Sequence, residues 1–221
     1  MVKSKAWNWE IVEGDLEAYW KAPAIETYYL LNRWQLQDKT TFLDLGCGIG
    51  RHTVMFSNFG FKTSAFDLSE NAIEKTRAWA ESMGLSIDYK VGDMLELPYE
   101  SDSFDCILCM NVISHTDTAG MQKIADKIYD ILKKDGECYL TLGSKSSWGF
   151  KQDWPVVDAN TKIRVEDGPE NGIPHFYADY DLIKTIFKKF EVVEVRHIAD
   201  YIEKNGNVSE SYHYHVLIRK K

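Results

Sequence analysis

The run Phe42-Leu43-Asp44-Leu45-Gly46-Cys47-Gly48-Ile49-Gly50 constrains this chain more than any other. It reads as a short apolar strand with an acid near its end, followed by a turn with glycine at every second position. Glycine has no Cβ, so such a turn can reverse sharply and let a ligand approach the backbone closely. A helix-compatible stretch from Arg51 to Phe59 comes next and stops at Gly60, a suitable C-terminal glycine. Dinucleotide folds usually space their glycines Gly-x-Gly-x-x-Gly. Gly46, Gly48 and Gly50 do not follow that spacing, and Asp44 precedes the first of them by two positions.

The following segments alternate strand and helix. Lys62 to Phe66 reads as a second strand ending at Asp67, and Ser69 caps a helix through Met83, closed by Gly84. Leu85 to Val91 alternates as a third strand and runs into Gly92-Asp93-Met94. Phe104 to Ile113 is continuously apolar, the mark of a strand buried on both faces. A helix from Asp117 or Thr118 through Lys134 carries a stripe of Met121, Ile124, Ile128, Ile131 and Leu132, and Glu137 to Gly143 is a fifth strand. Repeated strand-helix order predicts a parallel sheet with right-handed crossovers. A helix from Asp179 or Asp181 through Phe190 is expected next. Two strands, Glu191 to Ile198 and Tyr212 to Ile218, close the chain around a polar turn at Lys204-Asn205-Gly206-Asn207.

The Asp-x-Gly-x-Gly-x-Gly pattern of Asp44 to Gly50 resembles motif I of the class I S-adenosylmethionine (SAM) dependent methyltransferases. That resemblance runs motif by motif from Phe42 to Gly143, and the ending fits in outline. It implies an α/β, Rossmann-like doubly wound sheet of seven strands in the order 3-2-1-4-5-7-6, with strand 7 antiparallel. Asp67 then falls where nucleoside-binding α/β folds hold ribose hydroxyls, and a carboxylate can accept from two hydroxyls at once. A helix-capping role is its alternative. The resemblance also sets Asp93 beside the adenine, with Met94 packed on the ring; a plain turn aspartate is the alternative. The backbone at Asp44, Gly46, Cys47, Gly48 and Gly50 would hold the methionine end, with Leu68 and Asn111 completing the cofactor wall. In general form the chain is most similar to small-molecule enzymes such as the ubiquinone-biosynthesis and tellurite-resistance methyltransferases.

The parts outside the resemblance would choose the acceptor. Residues 1–40 form an aromatic helical cover in which Tyr19 or Trp20 could face a sulfonium cation. Residues 144–178 are too long for a plain connection and hold Trp148, Phe150, Trp154, Phe176 and Tyr177. They read as an acceptor-binding lid with Lys145, Lys151, Arg164 and His175 as polar candidates, or else as a packed insertion. His115, just past the fourth strand, is the best-placed candidate base, and His175 and Tyr177 join it as acceptor-side residues. The core would span 41–143 and the C-terminal helix and strands 179–221, all one domain.

Composition removes several rival classes. A net charge of −8 does not suit a surface that tracks nucleic-acid phosphates. Neither Asn/Asp-Pro-Pro-Tyr nor Pro-Cys occurs, so base-methylating chemistries lack their motifs. No apolar run reaches the roughly 20 residues of a membrane helix, and residues 1–5 carry no apolar leader, so a cytoplasmic location is expected, as a monomer or homodimer. Cys106 and Cys109 form a Cys-x-x-Cys, but three positions along a strand face opposite ways, so they are expected to be packing residues. His213 and His215 share a strand face without a third ligand nearby, and no metal is expected. Two other readings stand beside the enzyme: a SAM-binding regulator or scaffold without turnover, and a NAD-dependent oxidoreductase.

Overall fold

The computed structural model describes residues 2–204 and 206–221; Met1 and Asn205, the latter in the expected polar turn, lie outside them. Helices α1 (Gly14–Lys21) and α2 (Ile25–Gln35) lead into strand β1 (Thr41–Leu45). Then follow α3 (Arg51–Asn58), β2 (Lys62–Asp67), α4 (Glu70–Ser82), β3 (Asp88–Val91) and β4 (Phe104–Cys109). Helix α5 (Thr118–Ile131) runs directly into β5 (Leu132–Ser144). The insertion contains α6 (Trp148–Lys151), β6 (Val156–Asp158), β7 (Thr161–Ile163) and β8 (Pro174–Ala178). Helix α7 (Tyr180–Ile186) and the hairpin of β9 (Glu191–Lys204) and β10 (Asn207–Arg219) complete the chain.

Strands β3, β2, β1, β4 and β5 lie side by side in that order, all parallel. β10 pairs antiparallel to β5, and β9 covers its outer edge. This is the expected 3-2-1-4-5-7-6 arrangement, with β10 as the antiparallel strand. Three strands are additional. β6, β7 and β8 form an antiparallel sheet, and Tyr177 and Ala178 of β8 pair in parallel with Gly143 and Ser144 of β5. Gly143 already meets His213 of β10 on its other edge. β8 therefore takes the β4 edge of β5, past the point where β4 ends.

Local chemistry explains the helix starts. Ser69 Oγ accepts from the Ala72 N–H at 3.2 Å, Asp117 Oδ1 from Gly120 at 2.8 Å, and Asp179 Oδ1 from Leu182 at 2.9 Å. Helices cover both faces of the sheet. Leu30, Leu31 and Trp34 of α2 pack with Met55 and Phe56 of α3 on one side, and α5 and α7 bury Ile124, Ile128, Ile183 and Phe187 on the other. Cys106 belongs to the first layer and Cys109 to the second, so the Cys-x-x-Cys is split by the sheet; all four cysteines are free and buried.

Several expected boundaries shift: β3 begins at Asp88 rather than Leu85, and β5 at Leu132 rather than Glu137. α5 ends at Ile131 rather than Lys134, because Lys133 leaves the helix to pair with Asp105 at 3.2 Å. β4 stops at Cys109 rather than Ile113, where Asn111 turns into the left-handed region (φ 58°). α7 ends at Ile186, and the final hairpin is longer at both strands than the apolar stretches that marked it. In the first half of β5, Glu137 is fully buried and accepts from Arg33, Trp34 and Arg219 at 2.7–3.2 Å.

Candidate active site

The turn after β1 depends on glycine at each alternate position, for a different reason each time. Gly46, Gly48 and Gly50 have φ of 75°, 54° and 91°. A Cβ on Gly46 would stand 2.4 Å from Val112, on Gly48 2.5 Å from the Trp9 ring, and on Gly50 2.6 Å from Thr76. The N–H groups of Gly46 and Cys47 both donate to the Phe66 carbonyl, at 2.7 and 3.0 Å, which locks the turn to β2. Gly50 thus serves the packing of α3 on α4, while Gly46 and Gly48 present backbone to a cavity.

That cavity holds ≈ 960 Å³ of empty space, open solvent included, at the carboxyl ends of the parallel strands. This is where open α/β sheets take their ligands. Gly46, Cys47, Gly48, Asp67, Leu68, Asp93, Met94 and Asn111 all line it, as does Trp20. Asp67 is buried; its Oδ2 accepts from the Gly48 N–H and its Oδ1 from Ser69, both at 2.9 Å. Each oxygen keeps a further lone pair for a hydroxyl. Burial raises its pKa. Asp93 Oδ1 accepts from the Leu95 N–H at 2.9 Å, which sets the carboxylate on the wall. Asn111 is held by Thr141 through its N–H at 2.8 Å and its Oδ1 at 3.1 Å.

Asp44, Gly50 and Tyr19 lie outside this lining. Asp44 is buried under the turn, where its Oδ2 accepts from Thr53 Oγ1 at 2.6 Å and burial pushes its carboxyl up to about 6. Tyr19 is two-thirds exposed. Trp20 belongs to an aromatic group with Trp7 and Trp9, centroids 4.4–5.7 Å apart, and the Arg51 guanidinium sits 5.0 Å over its ring.

Opposite the glycine turn, His115 lines the cavity together with Glu170 of the insertion. His175 on β8 stands edge-on to His115, centroids 5.0 Å apart, and Tyr177 stacks on His175 at 6.4 Å. The three acceptor-side candidates are therefore neighbours, although only His115 reaches the cavity wall. Burial lowers the pKa of both histidines, His175 to about 3, and raises Tyr177 to about 12.

A family model described as methyltransferase domain matches residues 42–136. Those residues resemble a methyltransferase domain. A Geobacillus protein named as a methyltransferase is 33% identical over 131 residues, which cover 58% of this chain and 51% of that protein. The ubiquinone biosynthesis O-methyltransferase of Methylocella silvestris is 39% identical over 79 residues, 35% of this chain and 31% of the enzyme. The chain thus matches about half or less of these curated relatives' length. A solved SAM-dependent methyltransferase of Methanosarcina mazei superposes with a TM-score of 0.72 at 18% identity, covering 90% of this chain and 98% of the other. At that identity the likeness is one of fold.

Several wall residues of the cavity escaped the sequence reading. Ser4, Lys5, Ala6, Trp7 and Trp9 of the amino-terminal segment line the cavity. Val2 N–H donates to Asp117 Oδ2 at 2.7 Å, the Lys5 ammonium contacts the Asn171 carbonyl, and Asn8 N–H reaches Pro169 O at 3.4 Å. Lys75 of α4 donates to the carbonyls of Trp9 and Val12 at 3.0 and 3.1 Å. Trp7 and Trp9 were visible as aromatics, but nothing local tied them to Gly48. Glu170 is one acid in an acidic loop, and only the fold brings it to His115. Arg51 and His52 follow the glycine turn directly, a proximity that could have marked them.

Proposed function

We propose that the protein transfers a methyl group from SAM to a small-molecule acceptor. The observation that carries this reading is the placement of Asp67 and Asp93 on one cavity wall with the bare backbone of Gly46 and Gly48 between the strand ends. The cavity fits the cofactor on its own features: a glycine cradle that any Cβ would obstruct, and a buried carboxylate with free lone pairs at the ribose position. Bound there, SAM supplies a methyl already activated on a cationic sulfur.

The chain's residues then have modest tasks. Gly46 to Gly48 hold the amino-acid end, Asp67 the ribose, and Asp93 with Met94 the adenine. His115, His175, Tyr177 and the insertion at 144–178 face the acceptor, hold it in line at about 3–3.5 Å and exclude water. A base is needed only for an acceptor that keeps its proton at working pH. The matched stretch of the ubiquinone enzyme and the net charge of −8 support a small acceptor rather than a nucleic acid. A cytoplasmic protein, monomeric or homodimeric, belongs to the same reading; no described helix is long and apolar enough to cross a membrane. No observation favours a non-catalytic SAM sensor or a NAD enzyme. The test is calorimetry with SAM and NAD, followed by labelled-methyl transfer onto a panel of small thiols, amines and hydroxyls. Binding of NAD but not SAM would overturn the proposal.

A further inference from the structure

We propose that His115, Glu170 and His175 form a site for one divalent transition-metal ion of the zinc class, on the insertion side of the cavity. His115 Nε2 lies 3.9 Å from Glu170 Oε1, and His175 Nε2 lies 3.8 Å from Glu170 Oε2. One donor atom from each residue stands within 4.8 Å of the other two, an arrangement found once among the described residues. These separations are too long for hydrogen bonds. Donors about 2.0–2.2 Å from a shared tetrahedral ion stand roughly 3.4 Å apart, so small side-chain rotations would close the site.

A second, independent feature points the same way. His175 Nε2 is buried and has no hydrogen-bond partner. A buried polar atom left unpaired calls for a ligand or a strain, and this one points into the cluster. The three residues also sit on tied backbone. The Phe176 N–H donates to Ser114 O at 2.8 Å, which joins the neighbours of His175 and His115. The Glu170 carbonyl accepts from Ile173 at 3.0 Å within the loop that leads into β8.

The donor set chooses the ion. Two imidazoles and a carboxylate suit zinc, cobalt or nickel rather than the all-oxygen shells of magnesium and calcium. Three protein ligands leave at least one position open, and His115 and Glu170 put it on the cavity. Arg164 opposes a cation here, its Nη1 contacting Glu170 Oε2. Glu166 provides for it: its Oε2 lies 3.3 Å from Arg164 Nε and has no hydrogen-bond partner. Arg164 can thus shift to Glu166, or keep Oε2 and orient Glu170 for binding through Oε1. The metal site stands on this geometry alone; only its role, holding an oxygen or sulfur of the acceptor, rests on the methyl-transfer reading.

The test uses the full chain, stripped with a chelator and without SAM. Cobalt(II) is titrated by its visible d–d absorption, and zinc by competition with a chromophoric chelator. One equivalent should bind, and His115→Gln, His175→Gln and Glu170→Gln should each weaken binding at least tenfold, whereas His197→Gln should leave it unchanged. Absence of a one-to-one cobalt spectrum would overturn the proposal, as would unchanged affinity in any of the three cluster variants that folds. Histidine side-chain NMR of the unaltered protein needs no variant: zinc must move the Nε2 signals of His115 and His175 and spare His52. Zinc binding without SAM binding would count against methyl transfer and leave the metal site standing.

Discussion

The carboxylate of Asp67 accepts a hydrogen bond from the backbone N–H of Gly48 at 2.9 Å, so the end of β2 holds the turn that follows β1. One side chain therefore shapes the glycine cradle and faces the space that the ribose would fill. Asp67→Ala removes both functions. SAM affinity should fall at least tenfold, since each bond to a charged acceptor contributes roughly 1.5–3 kcal/mol. Calorimetry on a variant whose circular dichroism matches the parent checks this; full affinity would mean that the ribose is held elsewhere.

Asp44 makes the pH dependence unusual. Burial raises its folded carboxyl to about 6, against an ordinary value of 3.8. The folded state then holds a proton that the unfolded state has lost, so this group's contribution to stability declines as pH rises from about 4 to about 6 and is level above. Its Thr53 bond and the nearby Arg51 oppose that shift, and Asp67 adds to it. The gap in unfolding free energy between the parent and Asp44→Asn should change by about 3 kcal/mol over that range, in favour of the parent at acid pH. Denaturant melts at several pH values would show it. A constant gap would mean that Asp44 stays ionised.

Glu137 is fully buried, with two arginines and an indole donating to it at the end of the sheet away from the cavity. Glu137→Gln leaves Arg33 without its counter-charge and Arg219 with Glu191 alone. Stability should fall by about 3–5 kcal/mol, with SAM affinity within about twofold when the protein is folded. Urea melts and calorimetry on one sample separate the two.

Substitution on the acceptor side should do the reverse. His115→Ala, His175→Ala and Tyr177→Phe should slow methyl transfer while SAM affinity stays within about threefold. Loss of SAM binding in all three would move them to the cofactor site. Full turnover in all three would detach the insertion from the mechanism.

Much of this was legible in the chain because parallel α/β sheets write themselves locally. The apolar run at β4, the caps at Ser69 and Asp179 and the acids after β2 and β3 each follow from neighbours within a few positions. What was hidden depended on distant partners. Lys133 leaves α5 for Asp105, Asn111 turns left-handed against Thr141, and Trp9 finds Gly48 across the molecule. Tyr19 and Trp20 had equal claims from sequence, yet helical rotation turns Tyr19 outward and Trp20 onto the wall. The lengthened hairpin was missed because Ile202 and Val208, both exposed, leave no buried stripe to mark it.

The segment 2–12 has a kinetic consequence. It lines the cavity and is moored by a few contacts to Asp117, Pro169, Asn171 and Lys75. Any molecule that must pass beneath it can enter or leave only during the fraction of time those moorings are undone. That fraction multiplies arrival and departure alike, so it drops out of the equilibrium constant and remains in the dwell time. Two versions of the protein could thus match in every titration and still differ in how long each holds what it binds.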